Sequence, residues 1–220
     1  MESCAGPLAN DLESLEMFMA AVLGARPATY DCTVLDVPWR RVAYHPGQKL
    51  RLGIVSEDPC FPLHPALRRG LADVIDKLEV DGHQLVRLAP EDCRISEMNE
   101  VAWALFDLDD TASRLVAKAG EPPIPSRRRI QTERQKLIGT CMPDLGASTG
   151  LDRLAILINK RAELTASWHK LMNQHGLDAV ISPAAQTTAV EHDLFGIPPY
   201  TSFLNLLDVR GSRFAFHSYR

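Results

Sequence analysis

Gly146-Ala147-Ser148-Thr149-Gly150 is the stretch of this 220-residue chain whose residue types come nearest to a reactive centre. A serine in the pattern G-x-S-x-G can present its hydroxyl as a nucleophile on a sharp turn, provided that a buried strand precedes it and a helix follows. A helical pattern does follow. Cys141-Met142-Pro143-Asp144 before it does not read as a strand, because Pro143 removes a ladder donor. The spacing favours an entry loop in which Thr149 or Ser148 caps the next helix. Asp178 or Asp193 with His192 or His217 would complete a triad on paper, but seven histidines and 28 acidic residues make such triples easy to find. His192-Asp193 reads as a solvated loop. His45, His64 and His83 follow no metal-ligand spacing, and the chain carries no H-E-x-x-H, P-loop or G-x-G-x-x-G. The sequence therefore predicts no metal and no nucleotide cofactor. Gln186-Thr187-Thr188 lies just past the carboxyl end of a predicted strand, where open α/β sheets place their ligand crevices. Ser182–Asp193 is thus a candidate pocket rim, with a plain polar loop as the alternative.

The elements that would position these residues follow from periodicity. Asn10 with Glu13 fits a capping box, Leu12, Leu15, Phe18, Met19 and Val22 repeat at helical spacing, and Gly24 fits a helix stop. Leu50–Val55 reads as a strand, and Ser56–His64 as a loop. Pro65 suits a first helical turn, and Leu67, Leu71, Val74, Ile75 and Leu78 share one face of the helix it starts. Gln84–Leu88 reads as the next strand. A helix crossing between two strands predicts a parallel pair. Val101, Leu105, Leu108 and Leu115 predict one further helix closing near Gly120. Glu121-Pro122-Pro123-Ile124-Pro125 opens a basic, then Gly/Ser-rich linker that lasts to Gly150. A long helix from Leu154 to Met172 stops at Gly176. Leu177–Ser182 reads as a buried strand, and Thr201–Leu207 as a last short helix. The class is α/β, yet three strands are few for a covered parallel sheet. Val209–Arg220 shows no period, so the inventory predicts an incomplete domain with an irregular tail.

Composition bounds the function classes. Hydrophobic residues are 45% and charged residues 24% of the chain, and the net charge is −4. That is ordinary for a globular protein and excludes a collagen, a coiled-coil rod and a wholly disordered chain. No clustered basic excess predicts a nucleic-acid or anionic-membrane surface. The run Arg127-Arg128-Arg129 sits in a Pro-rich stretch and reads as a solvated loop. Five cysteines without a C-x-x-C pair predict reduced thiols and a cytoplasmic location. The first 25 residues lack a basic n-region, and the apolar stretch Met17–Leu23 is shorter than the ~20 residues a bilayer requires. No membrane association is expected.

Two stretches resemble the amidase signature family, specifically its fungal acetamidase-like and general amidases. The first is Ala5-Gly6-Pro7-Leu8-Ala9 with the helix after it and Pro38-Trp39-Arg40. The second runs Leu177-Asp178-Ala179-Val180-Ile181-Ser182-Pro183, Ala185-Gln186, Thr188-Ala189-Val190, His192-Asp193, Pro198-Pro199-Tyr200-Thr201 and Asn205-Leu206-Leu207-Asp208. Glu121–Pro125 also resembles its counterpart. The resemblance covers about residues 5–208 and implies a partial amidase-signature fold, a fragment of a mixed β-sheet covered by helices. It implies metal-free hydrolysis of linear amides, in which a serine attacks the carbonyl, a second serine relays its proton to a neutral lysine, and a Gly/Ser-rich loop holds the oxyanion. The family carries that lysine and loop upstream of its G-P-[ML]-A segment, so no catalytic residue transfers to a position in this chain. Residues 1–208 are then expected to be the C-terminal portion of an amidase domain, with 209–220 a divergent tail. Gln186, Tyr200, Thr201 and Asn205 are the expected pocket-rim residues. The Tyr200 and Thr201 side chains should face the crevice, and Asn205 should tie down a loop. The leading expectation is a truncated amidase, inactive alone, which would take a small amide substrate only when completed. The second is a non-catalytic interaction or regulatory paralogue that binds a homologous amidase, and the third is a serine hydrolase using Ser148.

Overall fold

The computed structural model describes residues 6–39, 45, 47–122, 124–137 and 149–208, and the chain divides into two units, Glu2–Gln48 and the part from Lys49 onward. In the first unit Leu12–Gly24 forms helix α1. Its cap is Asp11, not Asn10. The Asp11 backbone is extended and its carboxylate accepts from Ser14 N at 2.7 Å. A charged cap gains from the helix dipole as well as from the hydrogen bond. The helix runs through Gly24 and ends on Ala25, and none of its residues is buried.

The second unit is built on a strand–helix–strand unit, as the hydrophobic pattern requires. Arg51–Val55 is β1, Pro65–Val80 is α2 and Gln84–Leu88 is β2. His64 caps α2, with Pro65 in the first turn. Lys49 Nζ donates to Asp81 O, and His83 Nδ1 accepts from Leu50 N at 3.1 Å, which fastens the turn into β2 to the start of β1. The strands pair in parallel, from Arg51 opposite Gln84 to Val55 opposite Leu88.

The helices after β2 depart from the pattern-based expectation in two places. Pro90–Cys93 forms a single turn, α3, before α4 (Ile95–Phe106) and α5 (Thr111–Lys118). One continuous helix was expected across Val101–Leu115. The chain breaks instead at Asp107–Asp110, where Asp109 Oδ1 accepts from Thr111 N at 2.9 Å. Short acidic side chains compete in this way with the helical ladder and turn the chain. The second departure is α6, Pro125–Leu137, inside the expected linker. It has almost no apolar face for periodicity to detect. Its residues are good helix formers behind an N-terminal proline, and Arg129 pairs with Glu133 one turn on at 3.1 Å.

Gly150–His175 forms α7, opened by a reciprocal capping box between Thr149 and Asp152 and stopped by Gly176 in the left-handed conformation. Of the two residues expected to cap it, Thr149 does so. Ser148 lies outside the described residues, as do His217 and the tail 209–220. Ala179–Ile181 is β3, shorter than the apolar run around it, and Pro199–Leu207 is α8, which starts two residues earlier than expected. β3 lies parallel to β1 on the side away from β2, giving the order β2-β1-β3. Among the described residues no helix is long and apolar enough to cross a membrane.

The core gathers where α4, α7 and α8 meet the sheet. Met98, Val101, Leu157, Leu164 and Phe203 are fully buried. Trp168 donates its indole N–H to Cys93 O at 2.9 Å and lies 5.5 Å from the Phe203 ring. Arg161 Nε donates to Leu206 O at 2.7 Å and so occupies a free carbonyl at the end of α8. Gly53, in the middle of the central strand, has no room for a side chain. A Cβ there would stand 2.7 Å from Leu177 Cδ1 and 3.1 Å from both Leu88 Cδ1 and Val180 Cγ1. Gly53→Val should therefore lower stability by about 1–3 kcal/mol through overpacking. The shift of the urea midpoint at unchanged slope measures it.

Candidate functional site

β1 and β3 are neighbours, so their carboxyl ends bring two loops together: residues 56–64 after β1 and residues 182–198 after β3. This is the edge at which an α/β sheet offers a crevice. Two hydrogen bonds join the loops. His64 N donates to Gln186 O at 2.8 Å, and Gln186 Nε2 donates to Pro62 O at 3.4 Å.

The first loop is held from within by its acidic residues. Glu57 accepts from Leu63 N at 3.1 Å and from Arg68 Nε at 2.6 Å. The Arg68 hydrogen bond holds the Glu57 carboxyl below its usual range. Asp58 is buried and faces the N-terminus of α4, where its two oxygens accept from Ser96 Oγ at 2.6 Å and Ser96 N at 3.0 Å, and it also accepts from Cys60 N at 2.8 Å. A carboxylate is well placed there, since the first N–H groups of a helix lack backbone acceptors. Tyr200, on α8, completes the loop's anchorage. Its hydroxyl donates to Phe61 O at 2.8 Å and accepts from Asp58 N at 3.0 Å. Burial pushes the Tyr200 phenol up to about 12, so it remains protonated and able to donate at neutral pH.

The expected rim residues fall in different surroundings. Gln186 is half-buried on the second loop and in contact with the first. Tyr200 is fully buried, and its ring is part of the core. Thr201 is buried as well, with its hydroxyl on Pro198 O at 3.2 Å. Asn205 is exposed on the outer side of α8. The tie expected of Asn205 is made by Asn99, whose buried amide donates to Ile95 O at 2.9 Å and to Pro199 O at 3.0 Å, joining α4 to the start of α8. Asp178 accepts from Arg51 N at 2.7 Å and so closes the start of β1, while His192 and Asp193 are exposed. Among the described residues, the hydroxyls of Ser56, Ser96, Ser167, Ser182 and Ser202 each donate to a carbonyl or carboxylate oxygen. None is paired with a lysine or histidine base. No group of three or more His, Cys, Asp and Glu among the described residues could hold a metal ion.

Sequence reasoning missed Asp58, Ser96 and the charge cluster behind them. Arg94 stands in the left-handed conformation between α3 and α4. It donates to Glu97 Oε2 at 2.6 Å and to Glu163 Oε1 at 3.0 Å on α7. Lys160 joins the same two carboxylates at 2.6 and 3.0 Å. The i, i+3 spacing of Glu97 from Arg94 and of Glu163 from Lys160 was readable, but their meeting depends on how α4 and α7 pack.

The sequence profile of the Amidase family matches residues 1–214 of this chain. The chain belongs to the amidase family. It is 27% identical over 208 residues to an amidase of Gibberella moniliformis and 28% identical over 218 residues to an acetamidase of Emericella nidulans, each alignment covering 94% of this chain. It spans 37% and 38% of the lengths of those two proteins. Its fold resembles a solved fatty acid amide hydrolase, with a TM-score of 0.77 at 23% identity over 92% of this chain and 34% of the other. The α/β architecture and the parallel strands of this amidase-family chain are thus those of the amidase-signature fold.

The charge cluster makes stability pH-dependent. Burial disfavours the charge on Glu97, but its bonds to Arg94 and Lys160 outweigh that and hold its carboxyl below 4.5. The bonds from Lys160 and Arg94 do the same for Glu163. Carboxyls lowered in the folded state contribute stability that is complete above 4.5 and is lost as pH falls through the lowered values. Lys160→Met should therefore cost about 1 kcal/mol at neutral pH and progressively less as the pH falls below 4.5, as urea titrations across that range will show.

Proposed function

We propose that this chain forms part of an enzyme that hydrolyses linear amides, and that it supplies scaffold and crevice wall while the nucleophile and its base are contributed elsewhere. The observation that carries this reading is the family match across nearly the whole chain, joined to the paired loops at the carboxyl edge of the sheet. The fungal relatives, an amidase and an acetamidase, support small amides as the substrate class. Gln186, which joins the two loops, is the residue of this chain proposed to border the substrate. Tyr200, Thr201 and Asn205 belong to the helix behind it. The thiols of Cys32, Cys60 and Cys93 are free, which supports a reducing, cytoplasmic setting. A homologous amidase is the partner only on the second reading, in which the chain is a non-catalytic interaction or regulatory paralogue.

The chain by itself should not release ammonia from acetamide or an aromatic amine from an anilide above the uncatalysed background. Large accelerations need nucleophile, base and oxyanion donors acting together. Turnover that Ser148→Ala abolishes would overturn this reading in favour of a serine hydrolase built on Gly146–Gly150.

A further inference from the structure

The Tyr200 hydroxyl is buried, yet neither of its partners is a side chain of the core around its ring. Both are backbone groups of the loop after β1, Asp58 N and Phe61 O, 142 and 139 residues away in sequence. A phenylalanine would fill the same space, so packing does not account for the oxygen. A buried hydroxyl is tolerated only when its hydrogen bonds are made, and here they are made solely by one position of that loop. The same loop holds Gln186 at its other end, through His64 N on the Gln186 carbonyl and Pro62 O on its side-chain amide. A continuous path therefore runs from α8 through Tyr200, Phe61, Pro62 and His64 to Gln186.

We infer that Tyr200 is a positioning residue: its hydroxyl fixes the loop after β1, the loop fixes Gln186, and Gln186 limits the size of the amide that the crevice admits. This rests on the amidase reading above. The path has a stiff part and a soft part. Tyr200 grips the loop with two bonds of ordinary length, whereas Gln186 is held by one good backbone bond and one long side-chain bond at 3.4 Å. Loosening the stiff part must release the soft one, and loosening the soft part should leave the stiff one in place.

Amide hydrogen exchange on the full chain tests this. In Tyr200→Phe, amides in 58–64 and in 184–188 should exchange at least about tenfold faster, with those of β1 and α7 unchanged. In Gln186→Ala only 184–188 should accelerate. Acceleration confined to Asp58, or spread evenly over the chain, overturns the inference. A second arm uses a complete amidase whose corresponding segment is replaced by residues 5–208. There Tyr200→Phe should shift the ratio of kcat/KM between an aromatic amide and acetamide by at least about threefold, carried by KM, whereas a purely structural loss would lower both substrates alike. An unchanged ratio overturns the specificity role. A hybrid without any amide hydrolysis overturns the amidase reading instead, and the exchange pattern still decides the coupling.

Discussion

The hydroxyl of Tyr200 and the carboxylate of Asp58 both anchor the short loop after β1, one to α8 and the other to α4. Tyr200 takes the backbone of Asp58 and Phe61, while the Asp58 side chain takes both donors of Ser96. A strand end, the start of α4 and the start of α8 are thereby fastened at one point. The Tyr200 hydroxyl and the Asp58 carboxylate are buried polar groups that would be destabilising if left unpaired, so the arrangement tolerates little displacement. The apolar contacts of Phe203, Met98 and Leu164 provide the bulk of the burial, but they would accept several relative positions of these elements. The hydrogen bonds select one.

α4 is the element through which the rest is connected. Its first turn receives Asp58, its buried face receives α8 through Asn99, and its exposed side receives α7 through the cluster of Arg94, Glu97, Lys160 and Glu163. The cluster is half exposed, so its energetic contribution is modest, as for other ion pairs in contact with water. Its geometry is more consequential: two cations bridging the same two carboxylates fix the rotation of α7 about its own axis, and with it the face on which Leu157, Leu164 and Trp168 enter the core.

What was legible in the sequence was whatever depends on local periodicity. The strands at 51–55 and 84–88, the crossover helix between them and the stop at Gly176 followed from spacing alone, and the family followed from the motifs around Leu177–Ser182 and Tyr200–Asp208. Helix α6 was illegible because Ile130 and Leu137 are too few to form an apolar stripe, so its signal is propensity alone. The break between α4 and α5 was hidden because Leu108 kept the helical spacing intact while Asp109 turned the backbone. In the site, Gln186 could be placed from its position after β3. The direction of Tyr200 could not, since an aromatic residue with a polar tip satisfies a crevice wall and a core equally well, and only the carbonyl of Phe61 decides between them. Asn99 was unreadable for a similar reason: its partners lie on two different helices.

The two neighbours of β1 come from very different distances along the chain. Gln84 of β2 is 33 residues from Arg51, whereas Asp178, just before β3, is 127. Closing the longer span is less favourable by about 1.2 kcal/mol of chain entropy. At ribosomal speeds of ~5–20 residues per second, the residues of β3 emerge about 6–25 s after those of β1. Throughout that interval the nascent sheet has one side with no strand to pair it, so the strand-binding edge of β1 is open longest while the polypeptide is still being made.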